Sequence, residues 1–250
     1  MVEGLDKFAD HFESYTDNYV LIGGTACDLA MQLVGQSFRA TKDLDIVLFL
    51  DQRRDEFVSH FWEFVRAGGY QTRQQADGRP QYYRFTDPTS DDYPFMLELF
   101  SALPSDVNYL GDGHLVPIPA SEDISSLSAI LMDGDYSAWI QQARTVSNKI
   151  AFARSEHLIP LKARAWLDLR ERKAAGGQVD DRHIKKHKND VFRLLTVVDP
   201  DYQTAIPTKI GQDMEQFVET MQAEPIDLKA LGIRGATKEE LLGQLREMYG

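Results

Sequence analysis

The spacing of apolar residues alternates between helix-like and strand-like over the first 120 residues. Leu5, Phe8, Phe12 and Tyr15 recur at intervals of three and four, which predicts an opening amphipathic helix. Short apolar runs then predict strands, and the longer amphipathic segments between them predict helices. The predicted strands cover 18–22, 44–50, 71–75, 81–86, 95–100 and 114–118, and the predicted helices cover 25–34 and 53–67.

Helical spacing dominates from residue 121 onward. A capping box, formed by Thr237 and by Glu240 three residues later, marks the start of the last helix. The earlier helices of this part are predicted over 125–132, 136–143, 158–173, 182–198 and 209–223. The expected fold class is therefore α+β, with a mixed sheet and flanking helices in residues 1–120, followed by a helical domain in residues 121–250.

Composition excludes a disulfide framework and favours a cytoplasmic protein without a membrane partner. The single cysteine, Cys27, can form no internal disulfide. No apolar run approaches the roughly 18 residues that cross a bilayer, and the acidic N-terminus lacks the pattern of a signal peptide.

Charge is unevenly distributed along the chain, whose net charge is −12. Residues 144–193 contain 13 lysines and arginines against 6 aspartates and glutamates, a net charge of +7, and the remaining residues carry −19. The basic segment is either a set of solvated helix faces or a surface that binds nucleic acid.

Gly23 and Gly24 follow the strand predicted over 18–22 and precede a helix. Glycine lets the backbone come close to a ligand, and a helix N-terminus offers free N–H groups to a phosphate. Thr25 either caps this helix or binds the same phosphate. An ordinary strand-to-helix turn would also explain the two glycines, so this pair alone does not define a function.

Three acidic residues lie in strands that are otherwise apolar. Asp43 and Asp45 are two residues apart, so their side chains are expected on one side of a strand, and Glu98 is the single charge in the run 95–100. Carboxylates at such positions are costly unless a cation lies between them. Three of them can hold two Mg²⁺ ions, with Mn²⁺ as a substitute, one activating an attacking hydroxyl and the other binding a triphosphate. The alternative for Glu98 is an outward-facing position on a half-buried strand.

These residues resemble the signature of the polymerase-β-like nucleotidyltransferases: two glycines, a helix, Asp43-Leu44-Asp45-Ile46 and a later acidic strand residue. The longer string Arg39-Ala40-Thr41-Lys42-Asp43-Leu44-Asp45 is similar to the abortive-infection E-type (AbiEii) family, the toxins of type IV toxin–antitoxin systems. The resemblance implies a nucleotidyltransferase-type sheet. It also implies an NTP substrate such as ATP, bound with the help of Gly23, Gly24, Thr25 and Lys42.

Two segments of the predicted helical domain are similar to later motifs of the same family. The segment 158–165 matches the one that carries a family lysine, and 188–195 matches a later helix with an acidic residue. The resemblance implies that Lys162 contacts nucleotide phosphates and that Asp190 organises the site near Lys188. Considered without the family, Lys162 lies on a helix whose basic residues could simply be solvated.

The sequence thus predicts an enzyme that moves a nucleoside monophosphate from an NTP to an acceptor hydroxyl. The expected acceptor is RNA at a tRNA end, with a cognate antitoxin as protein partner. One alternative is an enzyme that modifies a small molecule, as aminoglycoside nucleotidyltransferases do, because the acidic surface suits a cationic substrate. The other is an inactive module that binds a nucleotide or an antitoxin, although three costly acids argue against it.

Overall fold

The computed structural model describes residues 2–49, 54–72, 83–101, 130–131 and 133–250. The chain divides into two compact units, of which the first contains Met1–Ala120 and Ile140–Arg154 and the second contains Ser121–Trp139 and Ser155–Gly250. The helices are α1 (Leu5–Phe12), α2 (Gly23–Leu33), α3 (Arg54–Gly68), α4 (Gly134–Gln142), α5 (Ser155–Ala174), α6 (Asp181–Leu195), α7 (Thr208–Ala223) and α8 (Lys238–Tyr249).

A mixed sheet forms the centre of the first unit. Its strands are β1 (Tyr19–Ile22), β2 (Asp43–Leu48), β3 (Gln71–Thr72), β4 (Tyr83–Thr86), β5 (Met96–Ser101), β6 (Arg144–Ser147) and β7 (Ile150–Ala153). The described strands lie in the order β3-β4-β5-β2-β1-β7-β6. The β2–β5 and β1–β7 pairs are parallel and the other neighbours are antiparallel. The predicted mixed sheet with flanking helices is therefore confirmed.

An aromatic cluster fixes α1 against α3 in this unit. Phe57, Phe61 and Phe64 recur at helical spacing on α3 and are each 1% exposed. Phe12 of α1 is fully buried, and the centre of its ring lies 5.4–6.0 Å from theirs. The spacing that predicts α1 therefore reflects real burial, and burying such large rings contributes strongly to folding.

The β6–β7 hairpin belongs to the first unit, although the sequence predicts a helical domain from residue 121. The four residues of β7 are buried, and Leu21 of β1 pairs with Phe152. The turn residues Asn148 and Lys149 have φ angles of 48° and 66°, the positive values of a two-residue hairpin turn. The turn contains no glycine, which is why the usual hairpin signal is missing. The predicted boundary near Ala120 lies outside the described residues.

Helix α5 packs against α6 and α7 in the second unit, and α7 packs against α8. Pro160 lies inside α5 and has no N–H to donate to the carbonyl of Glu156. The hydroxyl of Tyr249, at the end of α8, donates to that carbonyl instead at 2.6 Å. The proline is therefore tolerated because another helix satisfies the carbonyl that it leaves free.

Helix boundaries in the second unit lie within a few residues of the predicted ones, and both hydrogen bonds of the capping box of α8 are present. Some predictions fall outside the described residues, namely the strand over 114–118 and nearly all of the helix over 125–132. Among the residues that the structure describes, no helix combines the length and apolar composition that crossing a membrane requires.

Candidate active site

Charged side chains form a row across three neighbouring strands of the first unit. Arg84 of β4 is paired with Glu98 of β5, and Glu98 is paired with Asp45 of β2. Residues in register on adjacent strands point to the same face of a sheet, so the three side chains lie side by side. Asp45 is in turn paired with Ile22, the last residue of β1. The row therefore ends where β1 passes into α2.

Gly23 begins α2 directly beneath the carboxylate of Asp45. Its φ is +69°, and a Cβ placed on it would lie 1.6 Å from Oδ2 of Asp45. Both the left-handed backbone and the lack of space require glycine at this position. The N-terminus of α2 carries a partial positive charge and free N–H groups, so it attracts carboxylates and phosphates.

We expect Gly23→Ala to lower the free energy of unfolding by about 3 kcal/mol or more, because backbone strain adds to a collision with Asp45. Gly35 separates the two effects, since its φ is +71° and nothing lies within 4 Å of a Cβ placed there. Gly35→Ala should therefore cost only about 1 kcal/mol. Chemical denaturation of both variants measures the two losses in the free energy of unfolding. Equal losses would show that the carboxylate of Asp45 does not exclude a side chain at residue 23.

The loop before β2 covers the second glycine. A Cβ on Gly24 would lie 2.6 Å from Oγ1 of Thr41 and 3.4 Å from a guanidinium nitrogen of Arg39. Thr25 is fully buried, and its hydroxyl donates to the backbone carbonyl of Asp43 at 2.7 Å. Thr25 is not the helix cap, which is Ile22 without a side-chain bond. The hydroxyl of Thr25 therefore links α2 to β2, and its role in phosphate binding stays a prediction.

Glu98 is 5% exposed and has Asp45 on one side and Arg84 on the other. Its Oε1 accepts from Nε of Arg84 at 2.6 Å. Burial and then the charge of Asp45 raise the pKa of Glu98 to about 8, although Arg84 opposes this shift. One guanidinium therefore does not fully compensate the two neighbouring carboxylates.

The raised pKa of Glu98 predicts how stability changes with pH in the metal-free protein. The folded protein holds the Glu98 proton more tightly than the unfolded chain, whose carboxyl has a pKa near 4.5. The contribution of protonated Glu98 to the free energy of unfolding is therefore complete below about pH 4.5 and is lost as pH rises to about 8. We expect the melting temperature of wild type to fall relative to that of Glu98→Gln across this range. Parallel curves for the two proteins would contradict the assignment.

The predicted set of three acids is not preformed as a metal site. Within the described ranges, no group of three or more His, Cys, Asp or Glu side chains is arranged to hold a metal ion. Asp45 and Glu98 are adjacent, whereas Asp43 lies two residues earlier on β2 and pairs with Met96. Lys42 is exposed, and its Nζ lies 5.3 Å from the ring centre of Phe95.

Lys162 and Asp190 meet in the second unit. Lys162, on α5, has a side chain that is only 6% exposed, and its Nζ lies 3.7 Å from Oδ2 of the fully buried Asp190 on α6. Nη1 of Arg193 lies 3.8 Å from the other carboxylate oxygen. The alternative interpretation, in which Lys162 is a solvated residue on the helix surface, is therefore wrong. Lys188 is bound elsewhere, to the Pro225 carbonyl at 2.7 Å. A role for Lys162 and Asp190 in phosphate binding stays a prediction.

Arg84 and Thr41 are the site residues that the sequence did not identify as such. Arg84 lies in a predicted strand, and only its register opposite Glu98 gives it significance. Thr41 and Arg39 belong to the motif string, but their position over Gly24 depends on how the loop 35–42 folds back. The signal in the sequence that could have identified Arg84 is its positive charge on a predicted strand that pairs with the strand of Glu98.

Comparison with known proteins yields a distant structural likeness. No protein-family model matches the sequence, and no curated protein sequence matches it. The chain is similar to the crystal structure of an antigenic nucleotidyltransferase-like protein from Paracoccidioides brasiliensis, with 16% identity and a TM-score of 0.46. The likeness covers 90% of this chain and 88% of that one. These values are too low to establish a common fold, so the AbiEii resemblance rests on its motifs alone.

Proposed function

We propose that the first unit binds a nucleoside triphosphate with a divalent metal ion and transfers its nucleotidyl group to an acceptor hydroxyl. The observation that carries this proposal is the contact of two carboxylates, Asp45 and Glu98, beside the glycine-opened N-terminus of α2. A helix N-terminus binds phosphates, and paired carboxylates bind the cation that accompanies a triphosphate. An NTP–metal complex would use both features, because its phosphates suit the helix N-terminus and its cation suits the carboxylates.

The donor set of the row fits Mg²⁺ or Mn²⁺. Asp45 and Glu98 offer only carboxylate oxygens, and Mg²⁺ is commonly held by one or two carboxylates together with phosphates and water. Asp43, two residues before Asp45 and on the same face of β2, is proposed to join them. When bound, the ion would polarise the phosphates and lower the pKa of the acceptor hydroxyl.

The protein's own groups have distinct tasks in this proposal. The free N–H groups after Gly23 orient the triphosphate, and the Thr25 hydroxyl keeps α2 fixed on β2. A carboxylate of the row accepts the proton of the acceptor hydroxyl, which attacks the α-phosphate in line as pyrophosphate leaves. Lys42, exposed near the start of β2, is proposed to contact the outer phosphates.

We propose RNA as the acceptor on account of the basic segment. Several cations of α6 already have protein partners: Arg182 pairs with Asp180 at 2.6 Å, Arg193 lies 3.8 Å from Asp190, and Lys188 is bound to Pro225. Lys185 is exposed and, with Asn189, lines a cleft of about 540 Å³ in the second unit. Asp181, Glu224 and Asp227 line the same cleft, so the proposal of RNA rests on the net charge of +7 of residues 144–193 and not on this cleft. The toxin role and an antitoxin partner rest on the motif resemblance alone.

Label transfer tests the proposal directly. The protein is incubated with each of the four α-labelled NTPs, total RNA and Mg²⁺, and a second set replaces RNA with aminoglycosides. We expect label in RNA, pyrophosphate as the second product, and loss of both when EDTA removes the ion. Label on the aminoglycosides would keep the enzyme class and change the acceptor. Absence of pyrophosphate release with every NTP and both acceptor classes would refute nucleotidyl transfer.

A further inference from the structure

Arg84 lies at the outer end of the row, in direct contact with a carboxylate that the proposed function assigns to metal binding. Its Nε lies 2.6 Å from Oε1 of Glu98, and the two side chains are only 19% and 6% exposed. The pairing follows from the register of β4 and β5, which places the two residues opposite each other. The contact is therefore built into the sheet and does not depend on a flexible loop.

Arg84 and a divalent cation need the same oxygens. The carboxyl oxygens of Glu98 have a limited number of lone pairs, and one of these oxygens accepts from the guanidinium of Arg84. A fixed positive charge next to the site also repels a second cation, more strongly where water is excluded.

We propose that Arg84 is a positioning residue that holds Glu98 in the metal-free protein and yields it to the metal ion when the nucleotide binds. The inference rests on the proposed function. Arginine stays charged under all relevant conditions and binds phosphate through two parallel N–H groups. The guanidinium released from Glu98 therefore has a new partner in the incoming triphosphate. Metal binding and nucleotide binding are coupled through this exchange, so the metal ion alone binds weakly.

Mn²⁺ titration tests the exchange without relying on activity. Free Mn²⁺ is followed by electron paramagnetic resonance in wild type and Arg84→Gln, and binding of a non-hydrolysable ATP analogue is then measured at saturating Mn²⁺. Without nucleotide, we expect Arg84→Gln to bind Mn²⁺ roughly tenfold more tightly, because a competing charge is gone. The same variant should bind the analogue several-fold more weakly, because a phosphate partner is gone. A purely structural role of Arg84 would weaken both.

Controls separate the possible failures. Arg66→Gln removes an exposed arginine of α3 and should leave both affinities unchanged. Arg84→Lys keeps the charge without the planar fork and should lie between wild type and Arg84→Gln; it decides the question if Arg84→Gln does not fold. Equal Mn²⁺ affinity in wild type and the Arg84 variants overturns the exchange but leaves the metal site intact. Failure of every protein to bind Mn²⁺, with or without the analogue, overturns the proposed function as well.

Discussion

The Asp45→Asn variant is expected to lose nucleotidyl transfer by about a thousandfold while keeping its fold. The amide has almost the same shape as the carboxylate but lacks the charge that holds a divalent cation. Loss of several kcal/mol of transition-state stabilisation, at about 1.4 kcal/mol for each factor of ten, gives this magnitude. Label transfer at saturating NTP and Mg²⁺ measures the loss, and circular dichroism checks the fold.

Above about pH 8, where Glu98 is ionised as well as Asp45, the same substitution should make the metal-free protein more stable. Asp45 raises the pKa of Glu98 because the two carboxylates repel each other, and the amide removes this repulsion. Asp10→Asn is the matched control: it also removes one carboxylate of the first unit, but one that is exposed and paired with Lys149. It should change neither transfer nor melting temperature appreciably. Near-normal transfer by Asp45→Asn would remove Asp45 from the site.

Replacing Lys162 with alanine is expected to lower the free energy of unfolding by about 3 kcal/mol, a cost typical of breaking a buried ion pair. The change leaves the fully buried Asp190 with Arg193 as its nearby cation, at 3.8 Å. Leaving a buried carboxylate without its partner lowers stability far more than does losing the packing contacts of the partner's side chain. Urea denaturation measures the loss, and it should appear without any nucleotide.

A double variant isolates the pair. In Lys162→Met/Asp190→Asn both charges are removed, so we expect part of the lost stability to return. Lys185→Ala, on an exposed position of α6, is the control and should change stability by less than about 0.5 kcal/mol. If Lys162→Ala were as mild as Lys185→Ala, the buried pair would contribute nothing. Phosphate binding would then be the better account of Lys162.

Much of the fold follows from local patterns. The spacing of Leu5, Phe8 and Phe12 predicts α1 because those side chains enter the aromatic core, and Thr237 with Glu240 predicts α8 because the capping box forms. The structure places Asp45 and Glu98 side by side, since their strands are parallel neighbours in register, and their joint role in metal binding stays a prediction. An isolated charge in an apolar strand is informative because it is costly without a partner.

The remaining features depend on long-range pairing that local patterns do not encode. Arg84 is an ordinary strand residue until the register of β4 sets it against Glu98. Lys162 resembles a solvated helix lysine until α6 brings Asp190 against it. The β6–β7 hairpin was missed because Asn148 and Lys149 adopt positive φ angles without glycine. Each case requires knowledge of which segments meet in space.

The central claim is that Asp45 and Glu98 hold a divalent cation together with a nucleoside triphosphate. Crystals grown with Mn²⁺ and a non-hydrolysable ATP analogue test it most directly, because the anomalous signal of manganese locates the ion without assumptions. The account predicts a peak between the carboxylates of Asp45 and Glu98, with the triphosphate at the N-terminus of α2. A bound analogue whose manganese lies away from both carboxylates would contradict it.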